Sequence, residues 1–208
     1  VIDKLNYLET NINLTFDLIN IIFGIKPDRK VGVMPHIGVG QIQYRLNALN
    51  SDGSVFSKIG YTKGEGITNG NGLQNRKIVA IVPLGIELNY SITNRWRLSL
   101  DYTANYCDSD LVESLNGNYI NDWFHTINLG ANYKFNMKEE YKFSDKDLII
   151  INSANCRKYW YMQVDGGASF LFGDNKASFS SMKSNINIGV GYNFGDYFRI
   201  YGRIGKGS

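Results

Sequence analysis

The stretch that most constrains the fold is a long run of strict alternation from Ile78 to Tyr106. In IVAIVPLGIELNY, Ile78, Ala80, Val82, Leu84, Ile86, Leu88 and Tyr90 point one way. Val79, Ile81, Pro83, Gly85, Glu87 and Asn89 point the other. A tight turn around Thr93 and Asn94 follows. In RLSLDYTANY, Leu98, Leu100, Tyr102, Ala104 and Tyr106 then oppose Arg97, Ser99, Asp101, Thr103 and Asn105. A period of two is the signature of a strand, so the stretch predicts a long β-hairpin whose apolar face carries no charge.

The same pattern recurs along the chain. Val1 to Thr10 is mixed and reads as a loop or the start of a strand. Asn11 to Phe23 alternates, with Ile12, Leu14, Phe16 and Leu18 opposing Asn13, Thr15 and Asp17; the run IINIIF blurs the period, and a helix is the rival reading there. Gly24 to Lys30 is a turn. Gly32 to Leu46 is a strand whose apolar set moves from Ile37 and Val39 to Ile42, Tyr44 and Leu46, a parity change beside Gly40 that predicts a β-bulge. Strands are also predicted over Phe124–Phe135, Tyr159–Phe172, Ile186–Phe194 and Tyr197–Gly205, the last two joined by a tight turn at Gly195-Asp196. The count is eight. Connections alternate short and long, with long polar segments at 47–77, 108–122 and 173–185, and a charged linker at 136–158 breaks the rhythm.

Composition agrees with an all-β chain: of 208 residues, 22 are Gly, 14 Tyr and 11 Phe, and only 3 are Pro. A net charge of +3 with scattered Lys and Arg gives no stripe to follow a phosphate backbone, so no nucleic-acid partner is expected. Cys107 and Cys156 fit no metal-ligand spacing; a disulfide and two incidental thiols are both open. Gly64, Gly66, Gly70 and Gly72 form no phosphate-binding pattern. The acids Asp108, Asp110, Glu113 and Asp122 lack the spacing of a calcium loop. His36 and His125 have no recognisable acid–nucleophile partners, so no catalytic, cofactor-binding or metal residues are assigned. His125, beside Trp123 on the apolar face, reads as an interfacial residue. No run of 18 apolar residues exists, which excludes a transmembrane helix but not a barrel. Val1 opens no secretory leader, which points to a mature or trimmed chain.

Alternation leaves open which face is inside. A lipocalin-like barrel or a sandwich buries the apolar face; a membrane barrel turns it to lipid. Three features favour the second. The polar face is rich in Gly, Ser, Asn and Thr, which suit a narrow interior. It carries charges of both signs, Asp17, Glu87, Asp101 and Asp165 with Arg97, Lys134, Arg199 and Arg203, which a small lumen can pair. Aromatic residues sit near strand ends, among them Tyr90, Tyr106, Phe124, Tyr133, Phe135, Trp160, Phe172, Tyr192, Phe194 and Phe198, as in the girdles of membrane barrels. The expected fold is therefore an all-β, eight-stranded antiparallel transmembrane β-barrel, one domain over 1–208. Its interior is filled by side chains, and the eight charges serve as structural lumen groups.

Several stretches resemble the outer-membrane β-barrel domain of OmpA-like proteins from Bacteroidota: PHIGVGQIQYRL, VPLGIELNYSITNRWRLSLDYTANYCDSD, NDWFHTINLGANYKF, YWYMQVDGGASFLFGD and INIGVGYNFGDYFRIYGRIGKGS. The order of the blocks departs from the family. The stretch similar to the family's beginning lies at 159–206, after the one similar to its end, so the chain looks circularly permuted or cut from a tandem or composite barrel. The resemblance implies a periplasmic linker at 136–158, an outer loop at 47–77, and a Gram-negative outer-membrane location among lipids. Nothing matches the peptidoglycan-binding domain that the family commonly adds. With no catalytic constellation among its residues, the leading expectation is a non-enzymatic structural barrel without a cofactor, one form of which is an accessory subunit of a larger envelope complex. The alternatives are a small porin or transport component, a surface-loop binding protein, and an outer-membrane protease or acylase on a similar barrel. A soluble lipocalin-like carrier is the non-membrane rival.

Overall fold

The computed structural model describes residues 2–26, 29–50, 52–61, 67–68, 70–107, 122–135, 158–172 and 183–208. Among these residues ten strands run in chain order: β1 (Ile2–Phe16), β2 (Val31–Leu49), β3 (Val55–Ile59), β4 (Ile67–Thr68), β5 (Lys77–Ser91), β6 (Trp96–Cys107), β7 (Asp122–Phe135), β8 (Tyr159–Phe172), β9 (Lys183–Asn193) and β10 (Phe198–Gly207). Eight of them form an antiparallel meander, each paired with the next, and β1 pairs with both β2 and β10, which closes the sheet into a barrel. Closure leaves no edge in this ladder, as a bilayer requires.

Pairing fixes the shape. Stepping from partner to partner once around the wall, from Met34 through Glu87, Asp101 and onward to Tyr7, returns to β2 at Tyr44, ten residues along. For eight strands, a stagger of that size means a tilt of about 40°. Each residue then climbs roughly 2.5 Å along the axis, and about ten residues cross an apolar layer ~25 Å tall. The outward side chains of β6, from Trp96 to Tyr106, match that span. β1, β5, β7 and β9 end at one rim, the turn rim, where β2, β6, β8 and β10 begin. β2, β6 and β8 end at the other, the loop rim, where β5, β7 and β9 begin, β1 starts and β10 finishes.

Four expectations are corrected. The first strand ends at Phe16 rather than Phe23, and the mixed segment before Asn11, read as a loop or the start of a strand, is strand from Ile2. Leu18–Phe23 is the helix α1, the rival reading of IINIIF. Its entry is set by Asp17, whose side chain accepts the Asn20 amide at 2.9 Å, an N-cap. No bulge occurs at Gly40: β2 pairs with β1 without a shift from Lys4↔Asn47 through Thr15↔His36. Gly38 and Gly40 instead leave room for the Asn13 and Asn11 side chains, which a Cβ would strike. The parity of the apolar residues changes because the interior itself turns apolar above that point. Lastly, the polar segment 47–77 is not all loop. β2 continues to Leu49, turns at Gly53 (φ 83°), and β3 returns alongside it. Residues 70–76 fold over the outer side of this extension. Leu73 donates its amide to Gln43 at 2.9 Å, Arg45 donates to the Gly60 and Gln74 carbonyls at 2.9 and 2.6 Å, and Arg76 reaches the Asn6 carbonyl at 3.2 Å. The result is a ledge that rises above the loop rim. In its turn the Ser54 hydroxyl and amide hold the Asp52 carboxyl below its usual range. The glycines at 64 and 66, the acids at 108, 110 and 113, the linker residues 136–157 and Cys156 lie outside the described residues.

Candidate functional site: the lumen and the lipid-facing belt

The outward face is apolar on every barrel strand. Leu129 is 65% exposed, and Ile12, Val39, Leu84, Leu98, Val164, Ile188 and Ile204 are also open. In water so continuous an apolar surface would be an aggregation liability; in lipid it is the required surface. Aromatic groups border it. At the turn rim Trp96 packs on Tyr133 with ring centroids 4.9 Å apart, Trp160 on Tyr192 at 5.0 Å, and Phe16 on Phe198 at 5.6 Å. Toward the loop rim His125 stacks with Phe170 at 5.6 Å and shares a 2.8 Å hydrogen bond with Tyr102, while Tyr106 packs on Trp123 at 5.3 Å. These amphipathic rings sit where girdles belong. Phe124 is an exception among the predicted girdle residues. It points inward and is buried.

The inward face has three layers. At its centre is Arg203, which reaches Glu9 at 3.0 Å and Asp101 at 3.3 Å. Thr103 donates to Asp101 at 2.8 Å, and the His36 ring lies between them, 3.2 Å from the Thr103 hydroxyl and 3.7 Å from Asp101. Gly85 makes room for that ring; a Cβ there would collide with it. Gln163 donates to Glu87 at 3.1 Å and to Asp165 at 3.3 Å, and Asn187 donates to Asp165 as well. A ladder of asparagines climbs β1: Asn13 donates to Asn11, and Asn11 to Glu9. Buried charges are tolerated only where partners and hydrogen bonds replace water; this network supplies most of them, with Asp101 Oδ1 and Arg203 Nε left without a hydrogen bond.

Toward the turn rim lie Arg97, Lys134 and Arg199 with two tyrosines. Lys134 Nζ is 5.1 Å from the Tyr159 ring centroid, and Arg199 is 5.9 Å from that of Tyr161 while donating to Asn193 at 3.1 Å. Arg97 lies beside Tyr159 in the same layer. Toward the loop rim the interior is apolar: Tyr7, Ile42, Tyr44, Leu46, Ile59, Val79, Ile81, Cys107 and Phe124 form one buried cluster. Cys107 directs its thiol at the Asn105 carbonyl, 4.0 Å away.

Seven of the eight predicted lumen charges thus face inward: Glu87, Arg97, Asp101, Lys134, Asp165, Arg199 and Arg203. Asp17 does not sit among them. It is half-buried at the turn rim, where its carboxylate caps α1, because β1 ends one residue earlier. Two members of the central network escape the sequence pattern. Glu9 falls in the mixed segment before Asn11, although Tyr7, Glu9, Asn11, Asn13 and Thr15 share one parity. His36 lies among glycines in a strand whose face is ambiguous. Among the described residues, no group of three or more His, Cys, Asp or Glu is placed to hold a metal. Nor is any helix among them long and apolar enough to cross a membrane.

No curated protein and no solved structure matches the chain. Residues 29–135, which run from the end of the first turn through β7, match the outer membrane protein beta-barrel domain. That is just over half of the sequence, and together with the closed barrel and its lipid-facing belt it makes the chain a member of the outer membrane protein beta-barrel domain family.

Proposed function

We propose that this chain is a structural, non-enzymatic barrel of the Gram-negative outer membrane, closed to ions, and an accessory to another envelope protein rather than a transporter. The observation that carries this reading is the filled interior. An ion-paired middle is capped at the loop rim by the apolar cluster around Tyr44, a side chain with no solvent exposure. Water and ions enter such a packed apolar layer only at high cost. In this reading Glu87, Arg97, Asp101, Lys134, Asp165, Arg199 and Arg203 hold the wall strands together, and neither nucleic acid nor a cofactor is bound.

The test is conductance in planar bilayers. The reconstituted chain is expected to give no steady channel steps in simple salt. Regular open steps would overturn the closed-barrel reading and favour the small porin. The choice between lipid and water is tested by extraction: the chain should stay monodisperse in detergent and precipitate when detergent is removed, whereas a lipocalin-like carrier would remain in solution.

A second reading, binding at the loop rim, is favoured by the clamped ledge of β2 and β3. Arg45 and Arg76 fix it through backbone carbonyls, so it presents a preformed surface to an envelope partner. OmpA-like ancestry in permuted order, with 136–158 on the periplasmic side, is part of the same proposal; it is consistent with a family match that ends at Phe135, before 136–158.

A further inference from the structure

We propose that the turn between β1 and β2 is an interfacial anchor that docks on the anionic headgroups of the phospholipid leaflet at the turn rim; this rests on the barrel lying in a bilayer. α1 is built inside-out. Ile21, Ile22 and Phe23 are 51%, 60% and 70% exposed, while the buried side chain is Asn20. That asparagine is pinned: it donates to the Asp196 carbonyl at 2.9 Å and accepts from Arg29 at 2.7 Å. With the polar side tied to the β9–β10 turn, the apolar side has to face away from the barrel. Ile92 adds a further exposed aliphatic group on the neighbouring turn, which is joined to this one by Ser91 donating to the Lys30 carbonyl at 2.7 Å.

Two observations identify the occupant. The apolar patch is continuous with the turn-rim girdle, since Phe16 lies just before the Asp17 cap and packs on Phe198. The exposed charges of these turns among the described residues are all cationic: Lys26, Lys30 and Arg95. Asp17 and Asp196 are half-buried, and Asp28 lies outside the described residues. Aliphatic and aromatic groups beside lysine and arginine, level with a girdle, are the chemistry of the boundary between acyl chains and phosphate.

The experiment uses the full chain with Cys107 and Cys156 replaced by serine. An environment-sensitive fluorophore is attached at Ile22→Cys and, as a control in the belt, at Ile188→Cys, after folding into phosphatidylcholine vesicles containing phosphatidylglycerol. Apolar emission is expected at both sites. Water-like emission at 22 with apolar emission at 188 overturns the anchor, leaves the face to a protein partner, and keeps the barrel in lipid. Water-like emission at both overturns the bilayer reading and the anchor with it. For the headgroup, lipids retained by the native chain are weighed by native mass spectrometry. Phosphatidylglycerol should exceed phosphatidylcholine, and the excess should fall by about fivefold or more in Lys26→Gln/Lys30→Gln/Arg95→Gln. No excess in the native chain, or the same excess in the triple variant, overturns the anionic preference.

Discussion

Replacing Arg203 with methionine is expected to cost about 3–5 kcal/mol of folding stability, because it leaves buried carboxylates without their cation. Arg203 and Glu9 have side chains only 3% and 1% exposed, and Arg203 also reaches Asp101. Glu9 and Asp101 approach from β1 and β6, on opposite parts of the wall, so one guanidinium ties distant strands across the lumen. The measurement is the midpoint of urea unfolding in vesicles, with the loss of the compact gel band in unheated samples as a second readout. The variant Glu9→Gln/Asp101→Asn/Arg203→Met should recover most of the loss, since it removes the stranded charges together with their partner. Full stability of Arg203→Met alone would show that the network does not hold the wall.

The second large effect concerns the outer face. Leu129→Arg, near the middle of the belt, is expected to destabilise the folded state in lipid by about 2–4 kcal/mol. The position is 65% exposed, and in a water-soluble barrel an arginine at so open a site would change stability by less than about 0.5 kcal/mol. Ile188→Arg, two strands around the wall on β9, should behave alike. Near-neutral outcomes at both positions would mean that this face is wet.

How much of this is legible in the sequence depends on whether the two faces of a strand differ in chemistry. From Leu84 to the end of β5, and along the whole of β6, they do. Leucine, isoleucine and tyrosine there oppose glutamate, asparagine, serine, aspartate and threonine, so strand, partner and lumen side can all be read. Where the interior becomes apolar the contrast fails. Ile42, Tyr44 and Leu46 face inward as His36 does, and the pattern imitates a bulge that the register lacks. The segment before Asn11 is obscured in the same way, because Tyr7 belongs to the apolar cluster while Glu9, next on the same face, belongs to the ion pairs. α1 is ambiguous for a different reason: LINIIF satisfies both a strand and a helix exposed to lipid, and the Asp17 cap and the tertiary bonds of Asn20 decide between them. Spacing alone pairs no charge across a lumen, so the partners of Arg203 emerge only from the three-dimensional register.

The seam between β1 and β10 has a kinetic consequence. Every other ladder of the barrel joins neighbouring strands of the meander, with only β3 and β4 intervening in the chain between β2 and β5, and each can form by far more local zippering. The seam instead matches Tyr7 with Gly207, almost the full length of the sequence apart. Its loop-closure entropy is repaid only when the meander is already curved, and non-local pairing of this kind slows folding. The seam should therefore form last. Until it does, both β1 and β10 present unpaired backbone edges, and the unfinished barrel is a sheet able to join another copy of itself edge to edge.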